Sequence, residues 1–228
     1  MESFYLMNKD TPVLKFQITQ GAFGTVELTE TERYTEPLPI GFQTIQNWVE
    51  NRQAPKHREH IAELMRMCGC SRLDGFVRIT HALSLNDTFW TKAEESPLRW
   101  DDVSLYQNDF DETIARIAFE GGMYRERFST TSPEFETNGS FAKCWTRDPD
   151  GKIFLMKRGS RGGRNAGLEP FSEVYASQVA ARICKDFVPY SAVMYHGNLA
   201  SKCPLFTNEK QGFIPLYKCL NGELTVSN

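Results

Sequence analysis

Residues 141–157 constrain the fold of this chain more than any other segment. Two runs rich in apolar and aromatic residues, FAKCWTR and KIFLMK, flank the tetrapeptide Asp148-Pro149-Asp150-Gly151. This tetrapeptide favours a chain reversal, because proline presets one backbone dihedral of a tight turn and glycine accepts a positive φ. The sequence therefore predicts an antiparallel hairpin, and with it a sheet built from local strand pairs.

The elements after the hairpin complete a small unit of mixed class. Residues 169–183 have apolar residues at helical spacing, and Pro170 suits the first turn of a helix. The predicted inward face of this helix consists of Phe171, Val174, Tyr175, Val179 and Ile183. Further on, YSAVMYHGNLASKCPLFT predicts two more strands around a turn at 196–198. The predicted order is strand, strand, helix, strand, strand.

The sequence of the first half predicts a mixed, mainly helical region. FYLMNKDTPVLKFQI has β-rich ends around a turn, which indicates a small hairpin or sheet edge. Apolar spacing then predicts two helices joined around Ala54-Pro55, with the proline in the first turn of the second, and further helices within 71–90 and 111–119. We therefore expect an α+β fold, with a helical region at 1–122 packed on a small antiparallel sheet and one helix at 123–228.

Composition and charge exclude several classes of protein. The chain has 228 residues and 40% hydrophobic content, enough for a real core, and no run approaches the ~20 apolar residues of a membrane helix. Its N-terminus lacks the basic and apolar regions of a signal peptide. We expect no membrane partner and a cytoplasmic location. The net charge of −3 provides no overall basic field to attract nucleic acid.

The six cysteines form no CxxC pair and are expected to be reduced and mostly buried. Cys68 and Cys70 with His57 and His60 would be the candidate zinc ligands. However, C-x-C with H-x-x-H is not a usual spacing for a closed site, so packing of the cysteines as small hydrophobes is the favoured interpretation, and no metal site is predicted.

Lys157 is the strongest candidate for a functional residue in this sequence. It shares its strand parity with Ile153 and Leu155, so its side chain should project from an apolar face, where an ammonium requires a counter-charge. Glu173, in the first turns of the following helix, is the nearest plausible partner. A strand lysine paired with a helix glutamate is how protein kinases hold a lysine against ATP phosphates. The alternatives are a basic strand exit at Lys157-Arg158 and an exposed glutamate.

Two segments before the hairpin are weaker signals. Asn138-Gly139-Ser140 opens the first strand and would let backbone N–H groups approach a phosphate, although it matches no Walker A motif. The run at 129–132 consists of serines and threonines and is typical of an ordinary polar linker.

Three segments together resemble the N-lobe of the HipA-like serine/threonine kinases, the toxin kinases of bacterial toxin–antitoxin systems and their relatives. These segments are TNGSFAKCWTRDPDGKIFLMKRGS, GLEPFSEVYASQVAARI and GNLASKCPLFT. The first half resembles the N-terminal region attached to some such kinases, through LPIGFQTIQNWVENRQAPKHR, ALSLNDTFW and LRWDDVSLYQNDF. The resemblance covers nearly the whole chain and implies a kinase-type N-lobe at 123–228, with 169–183 as its αC-like helix.

The resemblance implies a role for each matching residue in binding ATP. Gly139 and Ser140 would lie in the phosphate-covering loop, and Lys143 would stand on the first strand above it. Lys157 would contact the α- and β-phosphates while Glu173 holds it.

Further implied roles concern the adenine and regulation. Leu205 and Phe206 would approach the hinge, where backbone groups meet adenine. Members of this family can be silenced by autophosphorylation of a serine before the loop, for which Ser129 and Ser132 are the candidates.

The sequence departs from the family after Thr207, where it contains no aspartate. A kinase of this type needs a catalytic aspartate and a second aspartate for Mg²⁺. We therefore expect the chain to be inactive without a C-lobe, which would also supply the metal.

Two alternatives remain open. One is a non-catalytic N-lobe or regulatory protein that binds a kinase or antitoxin-type partner. The other is DNA binding through a helix-turn-helix-like segment, 42–67, with Arg52, Lys56, His57 and Arg58 near its turn.

Overall fold

The computed structural model describes residues 2–21, 24–123, 131–162 and 165–219. Its strands are β1 (Glu2–Asn8), β2 (Thr11–Gln20), β3 (Val26–Arg33), β4 (Phe89–Ala93), β5 (Lys143–Arg147), β6 (Ile153–Arg158), β7 (Ser191–Tyr195) and β8 (Asn198–Pro204). Its helices are α1 (Ile45–Glu50), α2 (Ile61–Met67), α3 (Leu73–Thr80), α4 (Trp100–Val103), α5 (Glu112–Glu120), α6 (Glu169–Ile183) and α7 (Leu216–Cys219), with a 3₁₀ turn at Pro133–Phe135. The predicted α+β class is confirmed.

The chain forms two compact units that alternate along the sequence. The first comprises Met1–Gln53, Gly69–Asn108 and Thr207–Asn228, and the second comprises Ala54–Cys68 and Asp109–Phe206. These units differ from the predicted division at residue 122, because α2 and α5 fold with the second sheet. A periodicity argument places helices along the chain, but it does not show which sheet each helix covers.

The first unit is built on an antiparallel sheet with the order β3-β2-β1-β4. Alternate side chains of its two central strands are fully buried, among them Phe4, Leu6, Leu14 and Phe16. Strands therefore contribute nearly as many residues as helices before residue 122, so the region is mixed, with a larger share of strand than the sequence predicted. The predicted hairpin at its start is confirmed as β1 and β2, although the sheet extends further than expected.

The two predicted helices around Ala54-Pro55 exist, but the proline lies outside both. Thr44 caps α1 by accepting a hydrogen bond from the Asn47 amide. The second helix begins only at Ile61, after His60 in a left-handed conformation. Irregular turns therefore occupy 51–60, where the sequence predicted an almost direct connection.

The second unit contains the predicted hairpin, in a sheet with the order β5-β6-β8-β7. Helix α5 packs on one face through Ala115 and Phe119, which form a cluster with Cys144, Met156 and Ala200. Gly121, at φ 80°, ends this helix. The order strand, strand, helix, strand, strand is also confirmed.

The orientation of α6 contradicts the sequence prediction. Its apolar stripe, Phe171, Tyr175, Val179 and Ile183, is exposed, with exposed fractions of 51%, 70%, 42% and 77%. We call these four residues the α6 stripe. The sheet instead receives the polar side of the helix, because Glu173 and Ser177 bond to β8 and to the residue before β7. Helical geometry then leaves the stripe on the far side.

All six cysteines are free thiols, and four of them are buried. Burial raises the pKa of Cys68 to about 11, with a smaller contribution from Asp111. Across the described ranges, no group of three or more His, Cys, Asp or Glu side chains is placed to hold a metal ion. None of the helices in those ranges is long and apolar enough to cross a membrane.

Candidate functional site

Strand β6 places Lys157 between two neighbouring strands, opposite Lys143 of β5 and Ser201 of β8. The Lys157 Nζ lies 2.7 Å from Glu173 Oε1 and 2.8 Å from the Tyr190 hydroxyl oxygen. The predicted lysine–glutamate pair is therefore confirmed. The two side chains remain 21% and 32% exposed, so the pair is reachable from solvent.

The electrostatics keep Lys157 charged. Burial by itself would lower the pKa of Lys157, but hydrogen bonds to Glu173 and Tyr190 outweigh burial and raise this pKa above its ordinary value. The second carboxylate oxygen of Glu173 accepts a hydrogen bond from the Ser201 hydroxyl. The carboxylate is thus held from two sides, with one oxygen directed at the ammonium.

Sequence reasoning missed Tyr190 and Ser201. The Tyr190 amide donates a hydrogen bond to Ser177 Oγ at 3.0 Å, which fixes the backbone at this residue. The centroid of the Tyr190 ring lies 4.7 Å from the Lys157 Nζ. Finding Ser201 would have required knowing that β6 pairs with β8 rather than with β7. No local pattern in the sequence carries that information.

Lys143 stands on the same face as Lys157 but is buried, with 5% exposure. Its Nζ donates to the Asn138 carbonyl oxygen at 2.6 Å. Burial, followed by the charges of Arg58 and Lys157, lowers the pKa of Lys143 to about 8. We call this side of the sheet, with Lys143, Lys157 and Ser201, the site face. It gathers more cationic than anionic groups, which favours an anionic ligand.

The predicted loop lies directly over Lys143. Gly139 has φ 99°, and a Cβ placed on it would lie 2.4 Å from the Lys143 Nζ. Glycine favours this positive φ, and its lack of a side chain leaves room for the Lys143 ammonium. Ser140 is exposed, and its carbonyl oxygen accepts a hydrogen bond from the Glu59 amide at 3.0 Å.

Arg58 supports the loop from behind and was also missed as a site residue. Its guanidinium donates to the carbonyl oxygens of Glu134 at 2.6 Å, Thr137 at 3.0 Å and Lys143 at 3.1 Å. It is 2% exposed, and burial lowers its pKa to about 10. The sequence had suggested it as a DNA contact, and nothing local indicated that it would be buried.

The predicted autophosphorylation sites have different outcomes. Ser132 is buried, with 3% exposure, and its hydroxyl donates to the Glu134 carboxylate. That carboxylate also accepts from the Trp145 amide at 2.8 Å, and burial raises the pKa of Glu134. Ser132 is therefore inaccessible in this conformation. Ser129 lies outside the described residues.

The predicted hinge residues lie at the opposite end of β6 from Lys157. The Leu205 amide donates to the Ile153 carbonyl oxygen at 2.8 Å, so the sheet already uses this donor. Phe206 is 56% exposed. Of the two residues, Phe206 is the more exposed.

A cavity of about 650 Å³ lies on the other face of the second sheet, between the sheet and α5. Phe154, Met156 and Lys202 line it, together with Arg116 and His196. Neither Lys157 nor Glu173 contributes to its wall. This cavity and the Lys157–Glu173 pair therefore lie on opposite faces of the second sheet.

In the helix-turn-helix-like segment, two of the four side chains suggested as DNA contacts are buried. Arg52 is 5% exposed and pairs with Asp87, and Arg58 is buried as described above. Helices α1 and α2 belong to different compact units. Of the four suggested contacts, Lys56 and His57 remain exposed.

No protein-family model matches the chain, and no curated protein matches it.

Proposed function

We propose that the second unit binds the phosphates of ATP in the manner of a HipA-like serine/threonine kinase N-lobe. The observation that carries the proposal is the 2.7 Å contact between the Lys157 Nζ and Glu173 Oε1 on a solvent-reachable part of the sheet. Protein kinases use such a pair to hold a lysine against the α- and β-phosphates. Lys143 and the Asn138-Gly139-Ser140 loop support it with a second cation and a glycine that permits close backbone approach.

The residues present fit a polyphosphate anion rather than a complete catalytic centre. Lys157 would bind and orient the phosphates, and Glu173, Tyr190 and Ser201 would hold the lysine in place. Mg²⁺ and the catalytic aspartates would come from a C-lobe, so the unit alone would position ATP without transferring its γ-phosphoryl group.

Isothermal titration with ATP tests this proposal. We expect the unaltered protein to bind ATP and Lys157→Met to bind about tenfold or more weakly, because a charge-assisted contact contributes about 1.5–3 kcal/mol. Lys152→Met, at the exposed turn of the same hairpin, is the matched control and should bind normally. Equal ATP affinity in all three proteins would refute the role of Lys157.

The second candidate is a non-catalytic protein that binds a kinase or antitoxin-type partner. The exposed α6 stripe favours it, because a contiguous apolar surface is typical of protein–protein contacts. The same titration separates the two candidates. Absence of ATP binding by the unaltered protein would reject the first and leave the second.

A further inference from the structure

Helix α5 covers only part of the sheet face on which it packs. Its Phe119 lies in a cluster with Cys144 and Met156, whereas Phe154, two residues before Met156 on the same face of β6, lies outside that cluster. The cavity of about 650 Å³ lies between this uncovered part of the sheet and the first turns of α5. Its volume is typical of a small-molecule site, and every residue of its wall belongs to the second unit.

Two cations line this cavity without an anionic partner. Lys202, on β8, is half-buried, and its Nζ lies 3.8 Å from the centroid of the Phe154 ring, which is the distance of a cation–π contact. Arg116, on α5, is exposed. Within the ranges that the structure describes, neither side chain has a carboxylate oxygen within 4 Å. Both groups can therefore pair with an anion without breaking an existing ion pair.

The balance of charge on the wall decides how many negative charges that anion can carry. The charged side chains of the wall are three basic and three acidic ones, namely Arg116, Arg147, Lys202, Asp109, Glu112 and Asp148. Asp109 pairs with Arg147 at 3.6 Å, and Asp148 accepts a hydrogen bond from the Lys152 amide at 2.8 Å. The acidic groups would repel a polyphosphate, whereas Lys202 and Arg116 suffice for a single negative charge. Charge complementarity therefore favours a monoanion.

We propose that this cavity is a second binding site, for a small organic monoanion with a flat apolar body, such as an aromatic carboxylate. The Lys202 ammonium and the Arg116 guanidinium bind the anionic group, and Phe154 and Met156 contact the apolar body. An apolar floor with a few charged groups that fix the orientation is typical of small-molecule sites. The cavity lies on the opposite face of the sheet from Lys157, so this proposal does not rest on the proposed function.

Isothermal titration of the whole chain with 2-naphthoate tests the site, because this probe is flat, apolar and singly charged. We expect a Kd of about 1 mM or tighter for a probe of this size. Lys202→Met and Arg116→Met should each bind naphthoate about tenfold or more weakly, since each loses a charge-assisted contact.

Two controls separate the charge from the apolar surface. The neutral analogue 2-naphthalenemethanol should bind equally to the unaltered protein and to both variants. Lys152→Met, at the exposed turn of the hairpin, should bind naphthoate normally. Equal naphthoate affinity in the unaltered protein, Lys202→Met and Arg116→Met would overturn the proposal, and so would the absence of saturable binding.

Lysine footprinting locates the probe in the unaltered protein, in case a variant does not fold. Reductive methylation followed by peptide mapping should show that saturating naphthoate slows the modification of Lys202 and leaves Lys152 and Lys157 unchanged. Protection of Lys157 instead of Lys202 would place the probe on the site face and overturn the proposal. Loss of naphthoate binding in Tyr175→Ser would also overturn it, because the probe would then lie on the α6 stripe.

Discussion

Lys157 is a charged side chain held at the boundary between the sheet and solvent, and its partners decide its contribution to stability. Because the pKa of Lys157 is raised above its ordinary value of 10.5, the pair contributes fully below pH 10.5. The contribution is lost only as the pH rises through the higher folded-state pKa. Lys157 is therefore charged at neutral pH. The stabilisation that the pair provides there should depend on the Glu173 carboxylate.

Glu173→Gln tests that statement. We expect the free energy of unfolding to fall by about 1–2 kcal/mol at neutral pH, since the ammonium loses its charged partner while remaining partly buried. Urea denaturation gives the value. Glu63→Gln is the matched control, because the Glu63–Arg66 pair is well exposed and should contribute less than about 0.5 kcal/mol. A loss for Glu173→Gln no larger than the control would contradict the account.

At the scale of elements, α6 departs most from a conventional amphipathic helix. Tyr175→Ser and Ile183→Ser should each change the free energy of unfolding by less than about 0.5 kcal/mol, because both side chains are largely exposed. Met156→Ala, in the core under α5, should cost about 2–5 kcal/mol. Urea denaturation of the three variants distinguishes this orientation from the one expected from sequence. A loss above about 2 kcal/mol for the α6 variants would show that the stripe is buried.

The hairpin and α6 illustrate which features of the fold the sequence predicts and which it does not. The hairpin is predicted because its turn chemistry is local, and the Lys157–Glu173 pair is predicted because a buried charge demands a partner nearby. The direction of the α6 stripe is not predicted, because two polar contacts, to Ser201 and Tyr190, orient the helix against its apolar pattern. Arg58 is missed for the same reason, since its three carbonyl partners come from segments far away in sequence.

At the scale of the whole molecule, chain order and compact units do not coincide. The short segment Ala54–Cys68 belongs to the second unit, although the residues on both sides of it in sequence belong to the first. Within the second unit, this segment places Arg58 and Glu59 next to the loop at 138–140. The candidate site therefore depends on a segment that sequence reasoning assigned to a separate region. Deleting the first half at residue 122 would remove that support, together with α5.

The most direct test of the account uses an acyl-phosphate derivative of ATP, which transfers its acyl group to a lysine amine beside the bound phosphates and releases ATP. Peptide mapping then identifies the acylated lysine. We predict that Lys157 or Lys143 is labelled and that excess ATP prevents the labelling, since both amines lie on the site face. ATP-protected labelling at Lys202, in the cavity on the other face, or at no lysine would contradict the account.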